Sequence, residues 1–218
     1  MEESFKGELM RVFIILNNLT KQLSGVQVSA LNRLKLLKEY SALRVGILTV
    51  NYHKNQENIF QKFHNEYLGQ EKSFGFYNLY SNILGRQEQY RHQGRSTIPT
   101  SYSSSIRVSE THERYYNEQD RLIMYVVFYS NGIKKDRIDY INYFSQGHKF
   151  QRVHYTQSGH LSHIQYLDKS GSIYREELID VKGKPKIIHY FNKGKLTRIE
   201  INNDEGFLEE VFYNKNEL

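Results

Sequence analysis

Three patterns of apolar and polar residues follow one another along the chain. Residues 10–16 (Met-Arg-Val-Phe-Ile-Ile-Leu) and 43–50 (Leu-Arg-Val-Gly-Ile-Leu-Thr-Val) are nearly unbroken apolar runs, which suit strands buried on both faces of a parallel sheet. Between them Val28, Leu31, Leu34, Leu36 and Leu37 form a stripe of helical period. Strand, glycine-containing loop, helix and strand make a βαβ unit, which closes right-handed. Residues 55–68 predict a second helix with Ile59, Phe60, Phe63 and Tyr67 on one face, and residues 74–84 a short third one flanked by Gly75 and Gly85. With only two parallel strands, this front half is too small for an independent α/β sheet.

The second pattern is polar. Residues 86–107 carry Arg86, Arg91, Arg95 and Arg107 and a serine-rich run at 101–105, and they predict a linker or mobile loop. The third pattern fills the rest of the chain. Gly132, Gly147, Gly159, Gly171, Gly183, Gly194 and Gly206 recur every 11–15 residues, with short aromatic and β-branched segments between them. That is the mark of consecutive antiparallel strands joined by tight turns. The predicted strands are 113–116, 122–130, 134–144, 149–156, 161–168, 173–179, 186–192, 195–201 and 207–213, with one apolar face and one face of Lys, Arg, His, Glu and Gln. The fold class is therefore α+β: a partial Rossmann-like βαβ segment with linker (1–108), an antiparallel β-meander (109–205), and a final segment (206–218) that leads back toward an α/β domain. Asn214 and Glu217 have capping-box spacing, so a helix is expected to begin there.

Composition narrows the chemistry. Apolar residues make up only 39% of 218 residues, so the core leans on 18 Tyr and 12 Phe; Tyr suits half-buried sheets, where the ring packs and the hydroxyl stays wet. There is no Cys, which excludes disulfides, thiolate catalysis and cysteine-based zinc sites. No signal-peptide pattern and no membrane-length apolar run is present, so the expected location is the cytoplasm, peripheral to the inner face of the membrane. The formal charge of +6, from 30 Lys and Arg against 24 Asp and Glu, permits a polyanionic partner without requiring one.

The best-placed candidate site is the loop Ser24, Gly25, Val26 and Gln27, with Lys21 nearby. A helix N-terminus after a buried strand offers backbone N–H groups and the helix dipole to an anion or a sugar hydroxyl; an ordinary tight turn accounts for a lone glycine as well. Arg86, Arg91 and Arg95 are candidate polyanion contacts, or else solvated linker residues. His160 and His163 are three apart, which on a strand sends them to opposite faces and argues against a shared metal. Glu176-Glu177 and Glu209-Glu210 are adjacent pairs with no sign of a catalytic dyad. Aromatics interleaved with bases, as in residues 150–155, are read as sheet packing before a stacking platform for nucleic acid.

Residues 11–16, then Ser24-Gly25-Val26-Gln27 leading into Leu31-Asn32-Arg33, then the second strand and helix and the large Tyr-rich meander, resemble the N-terminal part of Gram-positive retaining GT-B glycosyltransferases. These are enzymes with a β-meander inserted in their first domain, namely the wall-teichoic-acid α-glycosyltransferases (poly(glycerol-phosphate) α-glucosyltransferase and relatives) and the glycosyltransferases of serine-rich surface adhesins. The resemblance implies an acceptor-side and oligomerisation part of a hexosyltransferase, a dimer or trimer through the meander, with a polyol-phosphate polymer or serine-rich protein as acceptor. The family holds its nucleotide-sugar in a second domain with a basic pair and two glutamates seven apart. That C-terminal domain is missing here, so this chain is not expected to be active alone; no catalytic residue, cofactor or metal is assigned, and nucleic acid is not an expected partner. The alternative is a non-enzymatic β-sheet module that binds a protein or polymer.

Overall fold

Side chains of the first apolar run alternate across a short parallel sheet, and that alternation decides what packs where. The structure, a computed structural model, describes residues 11–20, 22–40, 44–63, 65, 74–86, 96–130 and 137–214. The chain divides into two compact units, Met1–Ile83 and Leu84–Leu218. In the first, β1 (Arg11–Leu16), α1 (Gly25–Glu39), β2 (Arg44–Thr49), α2 (Gln56–Phe63), β3 (Phe74–Asn78) and α3 (Leu79–Ile83) follow in order, and β1, β2 and β3 pair in parallel in that order. Two right-handed crossovers stepping the same way put both helices on one face. That face holds the core: Leu16, Val45 and Ile47 from the sheet against Ala30, Leu31, Leu34, Ile59 and Phe63 from the helices.

The predicted helix at 74–84 opens as β3 instead, so the parallel sheet has three strands and not two. Period-two alternation explains the change. Phe76 stacks on Phe60 of α2 at 4.1 Å between ring centres, while Tyr77 crosses to the far face and meets Phe13 edge-on at 5.1 Å. Gly46 pairs with Phe13 on one side and Gly75 on the other, and a Cβ there would fall 3.0 Å from the Phe13 ring and 2.5 Å from the Gly75 carbonyl oxygen. On this far face Phe13 is 39% and Ile15 64% exposed.

The second unit is one ten-stranded antiparallel sheet: β4 (Ser104–Ser109), β5 (His112–Tyr116), β6 (Leu122–Phe128), β7 (Ile138–Ser145), β8 (His148–Tyr155), β9 (Leu161–Leu167), β10 (Ile173–Ile179), β11 (Pro185–Asn192), β12 (Lys195–Asn202) and β13 (Leu208–Tyr213). Every strand pairs only with its neighbours in sequence. Nine strands fall where the spacing puts them. The exception is β4, most of which lies in the polar stretch read as a linker; exposed along its whole length, it has only Ile106 and Val108 in alternation to reveal it. Gly132 lies outside the described residues. Asn214 donates its backbone N–H to the Thr197 carbonyl and its Nδ2 to the Leu196 carbonyl; the helix expected to begin there falls on 215–218, outside the described residues.

Five of the turns share one design, at 117–121, 156–160, 168–172, 180–184 and 203–207. The first residue donates its N–H to the carbonyl of the fifth, and the N–H of the fourth returns to the carbonyl of the first. The first side chain (Asn117, Thr156, Asp168, Asp180 or Asn203) accepts the amide of the fifth residue, and in all but Thr156 that of the third. These bonds hold the exposed Asp168 carboxyl below the usual carboxylate range, chiefly through Ser170. The fourth position is left-handed, φ +83° at Gly171. The one described core of this unit sits at its front, where Tyr115, Met124, Val126, Phe128, Ile138 and Ile141 pack with Ile98, Tyr143 and Tyr155.

The faces differ from the expected apolar-polar division: each is apolar in part and carries polar rows in part. One row runs Tyr166–Arg175–Tyr190–Arg198–Tyr213, directly paired across β9 to β13. Arg198 lies 3.9 Å above the Tyr190 ring, and Arg175 lies 5.5 and 5.8 Å from Tyr166 and Tyr190.

Gly171→Ala tests the turn design cleanly, because a Cβ there meets nothing within 4 Å and any cost is backbone strain. The expected loss is about 1–2 kcal/mol, seen as a lower urea midpoint at unchanged slope. A second test is alkaline. Burial, with Tyr143 next in weight, pushes the Tyr155 hydroxyl up to about 12. The unfolded chain ionises first, near pH 10, so stability from this residue is full below that and is lost as pH rises toward 12. Tyr155→Phe should flatten that part of the curve.

Candidate functional site

The loop from β1 to α1 is closed by its own side chains. Ser24 caps α1: its Oγ accepts the Gln27 N–H at 3.4 Å, and Gln27 Oε1 accepts the Ser24 N–H at 2.9 Å. The Gln27 side chain is buried and its Nε2 donates to the Asn18 carbonyl at 2.8 Å. This reciprocal capping uses two of the N–H groups a helix start leaves over, and Gly25 and Val26 are the exposed residues between them. Gly25 is not left-handed, and a Cβ on it would meet nothing within 4 Å. The fold itself makes no demand for glycine there. Lys21 lies outside the described residues.

A second polar group sits at the carboxyl end of the same sheet. Asn78 Nδ2 donates to Thr49 Oγ1 at 2.8 Å and to the Asn51 carbonyl at 3.0 Å, while its Oδ1 caps α3 by accepting the Ser81 N–H. Thr49, Asn78 and Gln56 are all buried. Gln56 is 1% exposed and its carboxamide makes no hydrogen bond, a cost of about 1–3 kcal/mol for each unmet group. The Asn78–Ser81 cap was legible as an Asn three residues before its Ser partner; the buried Gln56 carried no sequence signal.

Arg86 does not meet solvent, which corrects its reading as a polyanion contact. It is 1% exposed, and its Nη2 donates to the carbonyls of Ser162 at 2.6 Å and Ile179 at 2.5 Å. Those two oxygens lie just where the β9–β10 ladder ends, so the guanidinium extends the ladder as a backbone pair would. Leu84 is buried beside it and accepts the Val181 N–H. Arg91 and Arg95 lie outside the described residues. Arg107 is an edge residue bonded to Glu113 at 3.1 Å.

The carboxylates and imidazoles of the meander belong to cross-strand rows. Glu177 pairs with Arg175 at 2.6 Å and accepts the Tyr166 hydroxyl; Glu200 pairs with Arg198 and accepts the Tyr190 hydroxyl at 2.8 Å. Glu176, on the opposite face, contacts His189 and Gln165. Adjacent glutamates therefore serve different faces, and no described group of His, Asp and Glu can hold a metal ion. The rings of Tyr166 and Tyr190 stack on arginines of their own sheet.

No protein-family model and no curated protein sequence matches the chain. Solved structures do. A variant of S. aureus TarM, in complex with Fondaparinux, alpha-GlcNAc-glycerol and UDP, superposes at a TM-score of 0.73 over 94% of this chain and 41% of its own, with 16% identity. The glycosylation-associated Gap123 complex of Streptococcus agalactiae gives 0.63 over 95% and 42%, at 19% identity. The pneumococcal O-GlcNAc transferase GtfA, with UDP and GlcNAc, gives 0.62 over 94% and 39%, at 13% identity. The likeness is one of fold, and it falls on the proteins the sequence resemblance pointed to. The chain spans about two-fifths of the length of these structures.

Arg86→Met is expected to remove about 2–4 kcal/mol, because two ladder carbonyls lose a charged donor. Urea unfolding followed by the strand signal measures it. Arg86→Lys should recover only part, since both bonds come from the terminal Nη2 and the shorter lysine side chain carries its ammonium less far.

Proposed function

We propose that this chain is the acceptor-side and assembly part of a retaining glycosyltransferase that works in the cytoplasm at the inner face of the membrane. The enzyme moves a hexose from a nucleotide-sugar to a cell-wall polymer such as a teichoic acid, or to a serine-rich surface protein. The observation that carries the reading is the order of parts. A small parallel sheet with both helices on one face is followed by a long antiparallel meander, and this whole arrangement superposes on TarM over 94% of the chain. The donor half is assigned to a domain outside this chain: TarM and GtfA, solved with UDP, are more than twice as long.

Within the first unit, the carboxyl end of the parallel sheet is where open α/β sheets take ligands. The exposed Gly25 and Val26 at the α1 N-terminus and the unmet Gln56 carboxamide both lie at that end. Hydroxyl or phosphate oxygens of a polyol chain suit such donors. The meander is the assembly element. Its last strand leaves Leu208, Phe212 and Tyr213 half exposed, and its first leaves Ile106 and Val108 so, and among the described residues no further strand pairs with either edge.

Titration calorimetry with poly(glycerol phosphate) and with a serine-rich peptide tests the acceptor role. The chain should bind one of them without turning over a nucleotide-sugar. Gly25→Trp should weaken binding at least tenfold at an unchanged melting temperature, since the fold leaves that space open. Binding to neither acceptor overturns the acceptor role, and sugar transfer by the chain alone overturns the assignment of the donor site elsewhere. Light scattering at low and high salt should give a dimer or trimer; a monomer overturns the assembly role.

A further inference from the structure

We propose that Arg175 and Arg198, set in the tyrosine row across strands β9 to β13, form a track that binds the phosphodiester backbone of a polyol-phosphate chain. The inference rests on the reading of the acceptor as such a polymer, and it adds a contact for that polymer within the second unit. Register builds the track. Tyr166, Arg175, Tyr190, Arg198 and Tyr213 lie directly opposite one another on successive strands. The two arginines therefore stand two strands apart, roughly 9–10 Å. The Tyr190 ring lies between them, 5.8 Å from the Arg175 guanidinium and 3.9 Å from that of Arg198, and Tyr166 lies 5.5 Å from Arg175 on its other side. Guanidiniums held in this way lose little further freedom when a ligand grips them.

The depth of the charges decides what the row can take. Each guanidinium turns one Nη2 to a glutamate of its own strand, Glu177 at 2.6 Å and Glu200 at 3.2 Å. Those carboxylates also accept the hydroxyls of Tyr166 and Tyr190. Their side chains are only 8% and 16% exposed, against 35% for each arginine. The acids are thus recessed, with oxygens committed inside the row, and the solvent side presents the cations. One bond to a glutamate leaves the outer N–H groups of each planar fork for an outside acceptor. The row on the opposite face has one arginine, Arg152, bonded through Nε to Asn142.

A phosphodiester offers paired oxygens of the kind that a planar fork grips best. The tyrosine rings are already stacked on arginine, so they serve as apolar flanks for polyol carbons and not as platforms for a base. The recessed carboxylates cancel much of the attraction of a single phosphate from a distance. Two phosphates tied in one chain add their contacts without a second loss of freedom. A serine-rich peptide brings hydroxyls and no repeated anion, and gains less from two cations so placed.

The test is titration calorimetry of the whole chain with poly(glycerol phosphate) at several salt concentrations. Arg175→Gln and Arg198→Gln are each expected to weaken binding about tenfold and to make its salt dependence shallower. Arg107→Gln removes the same charge from another exposed arginine, the one paired with Glu113 at the β4 edge, and should leave binding as it is. Glycerol 3-phosphate at equal phosphate concentration should bind at least about tenfold more weakly than the polymer. If the glutamine variants fail to fold, phenylglyoxal labelling of the wild type, read by mass spectrometry, takes their place: the polymer should shield Arg175 and Arg198 and leave Arg107 open. Polymer binding that Gly25→Trp weakens and both arginine variants leave intact overturns the track and keeps the acceptor reading. An equal loss in Arg107→Gln, or labelling of Arg175 and Arg198 that the polymer does not change, also overturns the track. A wild type that refuses the polymer overturns it too; one that refuses the serine-rich peptide as well overturns the acceptor role.

Discussion

Cross-strand register is the constraint on which the second unit depends. Its ten strands form one sheet, and among the described residues of that unit no helix or second sheet packs on either face. A sheet without a covering layer has to shield its backbone with its own side chains. It does so with long residues laid side by side: Tyr166, Arg175, Tyr190, Arg198 and Tyr213 on one face, and Asn142, Arg152, Gln165, Glu176 and His189 on the other. Each direct pair contributes about 0.2–1 kcal/mol, and a guanidinium over a ring about 0.5–1 kcal/mol at an exposed site. None is large, but the rows repeat across five strands. A one-residue slip would send every member to the wrong face and lose the row at once.

That register is set by the turns. Asn, Thr or Asp, then two residues, then a left-handed position, recurs from 117, 156, 168, 180 and 203, and each such turn fixes the facing strands to within one residue. For this reason the meander was legible in the sequence: spacing and turn chemistry are local, and the sheet adds only neighbour-to-neighbour pairing. What escaped was what locality does not encode. The strand β4 has only Ile106 and Val108 as apolar residues, both exposed, and it pairs along the edge of β5. The segment 74–84 was read as a short helix flanked by Gly75 and Gly85; pairing with the parallel partner β2 makes its first part a strand. The division into one apolar and one polar face failed for a related reason. The polar rows Tyr166–Arg175–Tyr190 and Gln165–Glu176–His189 are made by pairing across strands, and they occupy both faces while the apolar core gathers at β5 to β7.

The candidate site was legible in part. Ser24 and Gln27 stand three apart before a helical stripe, and the structure makes them a reciprocal cap. The same residues were read as ligand donors, and here chemistry known to suit two purposes serves the internal one, leaving Gly25 and Val26 outward. Arg86 shows the opposite limit. In a polar stretch beside other arginines it reads as a surface cation, yet it is the most deeply buried charge described, placed by carbonyls 76 and 93 residues away. No local pattern announces so distant a pair of acceptors. Gln56 belongs with it, since a glutamine at the start of a helix is ordinary in sequence and costly only once it is buried.

The fold resemblance and the chemistry carry different amounts of the functional reading. At 13–19% identity, what this chain shares with TarM, Gap123 and GtfA is the course of the backbone. That course places a sheet's carboxyl end and a helix N-terminus in a given position, but it does not choose the side chains that meet a ligand there. In the site proposed for this chain stand an exposed glycine where the fold needs none, a neighbouring valine, and a buried carboxamide that makes no hydrogen bond. A polyol or serine-rich acceptor would be held mainly by backbone N–H groups at such a place, with few charges to attract it from a distance. Its selection would then rest on shape and on repeated weak contacts, which is what a polymeric acceptor and an assembled sheet are able to supply together.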